Sequence, residues 1–179
     1  LLILLLSALP PPDYLESVRN EVEQKADRLM EAQRIEHAVS LLEDVRNHIT
    51  DDARLTYSHG LALRLMGDYS RALPLLKEAL AKDPSLASAW YDLGEIQLLI
   101  RQPDEAQKSF ENAADLSENH QSGWAAPFRL AELAADASKI AAFENWLEKA
   151  MARGFSFQQT VVGTDRWREY LQDPDLGDI

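Results

Sequence analysis

The chain has 179 residues, 46% of them hydrophobic, with 18 Lys and Arg against 30 Asp and Glu and a formal net charge of −12. That balance excludes binding to a phosphate backbone, which needs a basic stripe, and disfavours an anionic membrane surface. There is no cysteine, which excludes disulfides, thiolate catalysis and Cys-type zinc sites. The acidic excess favours basic or apolar protein partners and also serves solubility.

In chain order the first segment is Leu1 to Leu9, apolar but for Ser7, followed by Pro10, Pro11 and Pro12. It is too short for a bilayer, which takes about 20 residues in a helix. It matches the apolar core of a secretory signal peptide, with Ser7 and Ala8 near a cleavage point, although no charged leader precedes it. A truncated signal or anchor, an apolar segment packed onto the remainder and a cloning remnant are the three readings of residues 1–12. The first tips the localisation towards an exported, periplasmic or membrane-tethered protein, with any membrane contact made through this segment.

From residue 13 the pattern is helical, with 7 glycines and no alternating Val/Ile/Thr run. Eight helices in antiparallel pairs are expected: 13–33 with 35–48, 52–66 with 69–82, 85–100 with 103–116, and 121–135 with 138–153. Thr50, Asp51 and Asp52 offer a cap for the third helix. Gly67-Asp68 ends that helix and caps the fourth. Asp83-Pro84 stops the fourth, with Ser85 as cap for the fifth. Pro103 suits a first helical turn, with Asp104 and Glu105 at the positive end of the helix dipole. Asp136 and Ser138 are candidate caps for the last helix. A further helix is expected over 164–171, with Trp167, Tyr170 and Leu171 on one side.

A four-residue pattern recurs through these pairs: Ala26/Ala38/Leu42/Val45, Gly60/Ala72/Leu76/Ala79, Gly94/Ala106/Phe110/Ala113 and Ala131/Phe143/Leu147/Ala150. Steps within each set are twelve, four and three residues, and successive sets are offset by 34 (26 to 60), 34 (60 to 94) and 37 (94 to 131). A period of this size implies stacked helical hairpins, a long surface without a closed chemical pocket. Small residues permit the close crossing of paired helices. Leu76 and Phe110, one turn on, are expected to fill the gap towards the next hairpin.

These residues resemble the tetratricopeptide repeat. Residues 87–116 are the best copy, through Trp90, Leu93-Gly94, Ala106, Phe110 and Ala113. Residues 53–84 follow, through Gly60, Gly67-Asp68-Tyr69, Ala72, Leu76, Ala79 and Pro84. Glu118 stands where the family usually has proline, and His59 where it prefers leucine. The outer copies are degenerate, as terminal repeats facing water tend to be. The resemblance implies an all-α, right-handed superhelical solenoid of about four hairpins over 13–155, with a C-terminal helix in a capping segment at 156–179.

Nothing in the sequence asks for an enzyme or a cofactor. His37, His48, His59 and His120 form no metal motif, and 173–178 lacks the glycine and closing glutamate of a calcium loop. Glu132 and Asp136, one turn apart, read as a solvated helix face in preference to an acid–base pair. Trp90, Trp124, Trp146 and Trp167 read as packing residues.

In the resembled family the first helix of each hairpin lines the concave groove. Tyr57, Tyr91 and Phe128 stand three residues before the small crossing residue, and Leu61, Glu95 and Glu132 one after it, with Arg64 a further turn along. Rings flanked by carboxylates suit a polypeptide with apolar anchors and basic side chains, although the same rings can simply wedge neighbouring repeats. Some relatives grip a C-terminal carboxylate with groove lysines and asparagines. Tyr57, Leu61, Asp92 and Glu95 occupy those places here, so that activity does not transfer. The implied function is a protein-binding scaffold, with no metal, nucleic-acid or small-molecule ligand. Its alternatives are a regulatory or assembly module of a larger chain and a self-associating subunit.

Overall fold

A computed structural model describes residues 12–118, 123–156, 170 and 172. Among them are eight α-helices and no strand: α1 (Pro12–Glu31), α2 (Ile35–Arg46), α3 (Ala53–Met66), α4 (Tyr69–Lys82), α5 (Ala87–Leu99), α6 (Pro103–Leu116), α7 (Ala125–Asp136) and α8 (Ile140–Ala152). The leader at 1–11, His120, Trp167 and the acidic turn at 173–178 lie outside the described residues. Of the expected helix at 164–171, only Tyr170 is described, and it is helical.

The chain divides into two compact units, Leu1–Lys82 and Asp83–Ile179. In the first, α1 packs on α2 and α3 on α4, while α2 and α3 join the two hairpins and α1 also touches α3. In the second, α5 packs on α6 and α7 on α8, with α6 against α7. Every position of the four recurrent sets is buried except the half-buried Val45. The pattern read from sequence is therefore part of the core, which Leu55, Leu63, Ile96 and Leu130 extend.

Phe110 fills the gap expected of it and does more. It does reach Ala126 and Leu130 of the next hairpin's α7, but its ring also sits directly over Gly94 of its own hairpin. The missing Cβ at Gly94 is a notch for that ring. Leu76 occupies the shallower notch at Gly60 in the same way.

Each first helix ends by the same backbone device. At Gln33, Gly67, Arg101 and Ser138 the chain enters the left-handed region, with φ of 58°, 85°, 62° and 52°. The amide after each of these residues bonds a carbonyl five residues back: Arg34 to Leu29 at 2.8 Å, Asp68 to Leu63 at 2.9 Å, Gln102 to Gln97 at 2.8 Å and Lys139 to Ala134 at 2.8 Å. These are Schellman closures, which satisfy the orphan carbonyls of a helix end. Their offsets repeat those of the core pattern, yet only one of the four is glycine. Since a side chain in this region costs about 1 kcal/mol, Arg101→Gly is expected to raise stability and Gly67→Ala to lower it, each by roughly 1 kcal/mol. Paired urea titrations check both signs.

The caps follow the sequence in part. Asp52 caps α3 by accepting from the Leu55 amide at 2.9 Å. Asp68 opens α4 through the Arg71 amide at 3.1 Å and Ser70 Oγ at 2.7 Å, and these bonds hold its carboxyl below the ordinary range. Ser85 does not cap α5. It donates from its amide and hydroxyl to Asp83 in the preceding turn at 2.9 and 2.6 Å, and Leu86 takes the cap position. Ser138 and Asp136 do not cap α8 either, because Ser138 is used in the closure and Asp136 accepts from Tyr170 Oη at 2.6 Å.

Candidate functional site

The first helices α3, α5 and α7 carry the residues expected to meet a partner. Tyr57, Leu61 and Arg64 are spaced by four and three residues, hence on one face of α3, and all are half-buried. In the second unit Tyr91 and Glu95 lie one turn apart on α5, and Phe128 and Glu132 one turn apart on α7. Tyr91, Glu95 and Phe128 are half-buried, and Glu132 is only 6% exposed. The solvated face expected for Glu132 is thus corrected: it is a buried carboxylate.

Buried carboxylates need partners, and here α7 supplies one. The Arg129 guanidinium donates to both oxygens of Glu95, from Nε and Nη2, each at 2.7 Å, and from Nη1 to Glu132 Oε2 at 2.7 Å. Burial works against its charge, but the bonds to Glu95 and Glu132 outweigh that and hold it protonated beyond its ordinary range. Burial, and then Glu95, push the Tyr91 phenol up. The bidentate fork matches carboxylate geometry as a lysine would not. Arg129 therefore ties the first helices of successive hairpins together.

The first unit repeats the device with other residues. Arg54 of α3 pairs with Glu23 of α1, and Arg19 of α1 reaches Asp52 at 3.4 Å. Burial raises the Glu23 carboxyl even so, against the pull of Arg54 and Arg19. In both units a carboxylate of one first helix is bound by an arginine of the neighbouring first helix, Glu23 by Arg54 and Glu95 by Arg129. Sequence reasoning passed over Arg129. Its signal was a charge opposite to Glu95 one repeat period, 34 residues, further along.

The rings have intramolecular neighbours as well. Tyr91 lies 5.6 Å from Phe110, centroid to centroid, and Phe128 lies 4.5 Å from Phe155 and 6.1 Å from Trp124. They wedge neighbouring segments together and are half-buried. The tryptophans pack as expected where they are described. Trp90 Nε1 donates to the Pro84 carbonyl at 2.9 Å, and Trp146 packs against the cores of both hairpins of its unit.

An open pocket of about 410 Å³ lies among α6, α7 and α8. Leu130, Leu133, Ala134 and Trp146 make its apolar wall, and Asp104, Asp136 and Lys139 are charged residues of its lining. Among the described residues no group of three His, Asp or Glu side chains is placed to hold a metal. No described helix is long and apolar enough to cross a membrane.

Residues 63–121 match the tetratricopeptide repeat family model. No curated protein matches the chain significantly. Solved structures do. MamA from Desulfovibrio magneticus RS-1 aligns with a TM-score of 0.63 at 20% identity, covering 74% of this chain and 73% of that one. YrrB, described as a TPR protein with an unusual peptide-binding site, aligns at 0.61 and 18%, covering 74% and 67%. The Yersinia enterocolitica type III secretion chaperone SycD, in complex with a peptide of the translocator YopD, aligns at 0.54 and 15%, covering 78% and 96%. At these identities the likeness is one of fold. The tetratricopeptide match thus spans α4 to α6, and the hairpin closure that ends the first helix within it also ends the other three.

Proposed function

We propose that the chain is a non-catalytic adaptor that holds a partner polypeptide along its first helices. One observation carries this reading: at the same repeat position, three residues before the small crossing residue, Tyr57, Tyr91 and Phe128 each keep a half-exposed ring. Rigid aromatics offer large contact area at little entropic cost and are enriched among the residues that dominate binding. The fold likeness to YrrB and to peptide-bound SycD supports a polypeptide ligand over a small molecule.

The electrostatics favour a partner bearing basic side chains between apolar anchors. Arg129 balances only one of Glu95 and Glu132, so that cluster carries one net negative charge. The whole chain carries −12.

The test is affinity capture on the immobilised chain, with the captured polypeptide then titrated against Tyr57→Ala/Tyr91→Ala. The double variant is expected to bind about a hundredfold more weakly, from two anchors of about 2 kcal/mol each whose losses are only partly additive. Because Tyr91 touches Phe110, Phe110→Leu serves as control: it perturbs the same core and is expected to retain binding. Equal affinity of the double variant and wild type would remove the aromatic face from the reading.

A further inference from the structure

His59 stands where the resembled repeats prefer leucine, and it is 4% exposed. It lies on α3, facing the last residue of α2 and the middle of α4. Arg46 Nη1 is 3.3 Å from His59 Nδ1. A guanidinium only donates, so Nδ1 is the acceptor and the neutral ring carries its proton on Nε2. That atom is buried and has no hydrogen-bond partner. Nη2 of the same Arg46 donates to both oxygens of Glu78 on α4, at 3.0 and 3.1 Å. Lys82 Nζ also donates to Glu78, at 2.8 Å, and to the Thr50 carbonyl in the loop between α2 and α3, at 2.7 Å. One arginine thus fastens the end of α2, in the first hairpin, to both helices of the second.

We propose that His59 and Arg46 form an acid-sensitive latch: protonation of the buried imidazole expels the Arg46 guanidinium and frees α2 from the second hairpin. A second proton can enter only at Nδ1, the atom that receives Arg46. The new N–H then points at a cation, and the contact turns from attraction to repulsion.

The charged groups facing the ring are Arg46 and Glu43 from α2 and Arg71 and Glu78 from α4. Burial first, then Arg46, pull its pKa from 6.5 to about 4; Arg71 adds to this, and Glu43 and Glu78 oppose it. The folded pKa lies below the unfolded one, so the unfolded chain takes the proton more readily. Stability is complete above about 6.5 and drains away as pH falls towards 4. At pH 4.5 the single imidazole lowers the folding equilibrium constant by roughly 70-fold relative to pH 7.5. Leucine at this position has no such term. The latch concerns regulation and holds whether or not the aromatic face binds a partner.

The experiment follows the full chain by NMR from pH 7.5 to 4, reading the His59 imidazole resonances and amide-exchange protection factors, in wild type and His59→Leu. In wild type, the imidazole is expected to hold the Nε2–H form and to titrate near pH 4. Protection in α2 should fall before that in α3 and α4, and by tens of fold more at pH 4.5 than in the leucine variant. A midpoint near 6.5, or equal loss of α2 protection in both proteins, overturns the proposal. Should the variant fail to fold, the wild-type midpoint and tautomer still decide.

Discussion

Gly94→Ala is expected to destabilise the second unit by about 1–3 kcal/mol, although alanine is the better helix former. In a solvent-facing helix the change would favour folding by roughly 1 kcal/mol. Here a Cβ would stand 2.7, 2.8 and 2.9 Å from Cε1, Cζ and Cδ1 of Phe110. The ring is fully buried and leans on Tyr91, so no rotation of a chain end relieves the clash and α5 and α6 must part. Overpacking of this kind costs about 1–3 kcal/mol net. Urea unfolding by tryptophan fluorescence reports on this unit, because all four tryptophans follow Lys82. Gly94→Ala/Phe110→Leu is the diagnostic partner. If the notch exists to hold the ring, the double variant is less destabilised than the sum of the singles. Additive losses, or a more stable Gly94→Ala, would show that the approach of the two helices is not set by this contact. Gly60→Ala should cost less, since its nearest neighbour is the end of the Leu76 side chain at 3.0 Å, which can give way.

Arg129→Met is expected to cost about 2–4 kcal/mol at neutral pH. It leaves Glu132 and Glu95, 8% and 17% exposed at the side chain, without the guanidinium that holds them. Stranding the remaining charge, and not loss of attraction, makes up most of this cost, which solvent reaching the 30% exposed Arg129 moderates. Arg129→Met/Glu95→Gln/Glu132→Gln should recover much of the loss at neutral pH. No recovery in the triple variant would assign the loss to packing of the arginine stem.

The helices and their pairing were legible because the recurrent set encodes contacts between elements adjacent in sequence. Twelve residues from Gly94 to Ala106 is one hairpin, and the partner of each small residue is found by counting. The end of α3 was legible for the same reason, since Gly67 announces a left-handed closure. Gln33, Arg101 and Ser138 adopt the same backbone without glycine, because packing of the flanking helices over-determines the turn. Ser138, taken from its composition as a cap, proved to be one of them. Pro74 sits inside α4 on an exposed position, where a helix already clamped by buried Ala72, Leu76 and Ala79 tolerates it.

The candidate site was legible in its rings and not in its charges. Tyr57, Tyr91 and Phe128 share a repeat position that spacing reveals, and their partial exposure follows from it. Glu132 was read as solvated because a carboxylate on a helix says nothing of what lies opposite. Only the tertiary structure brings Arg129 across from α7 to Glu95 and buries Glu132 beside it.

The amino-acid order alone determined where the chain turns, which small residues meet and how many hairpins form, because in a repeat protein those are near-neighbour matters written in a short period. Tertiary packing decided which charges are sequestered, which ring fills the notch at Gly94, and that His59, a polar residue in a leucine's place, lies locked against Arg46. Each of these depends on the environment one hairpin supplies to the next, where burial and an opposing charge change what a side chain can do.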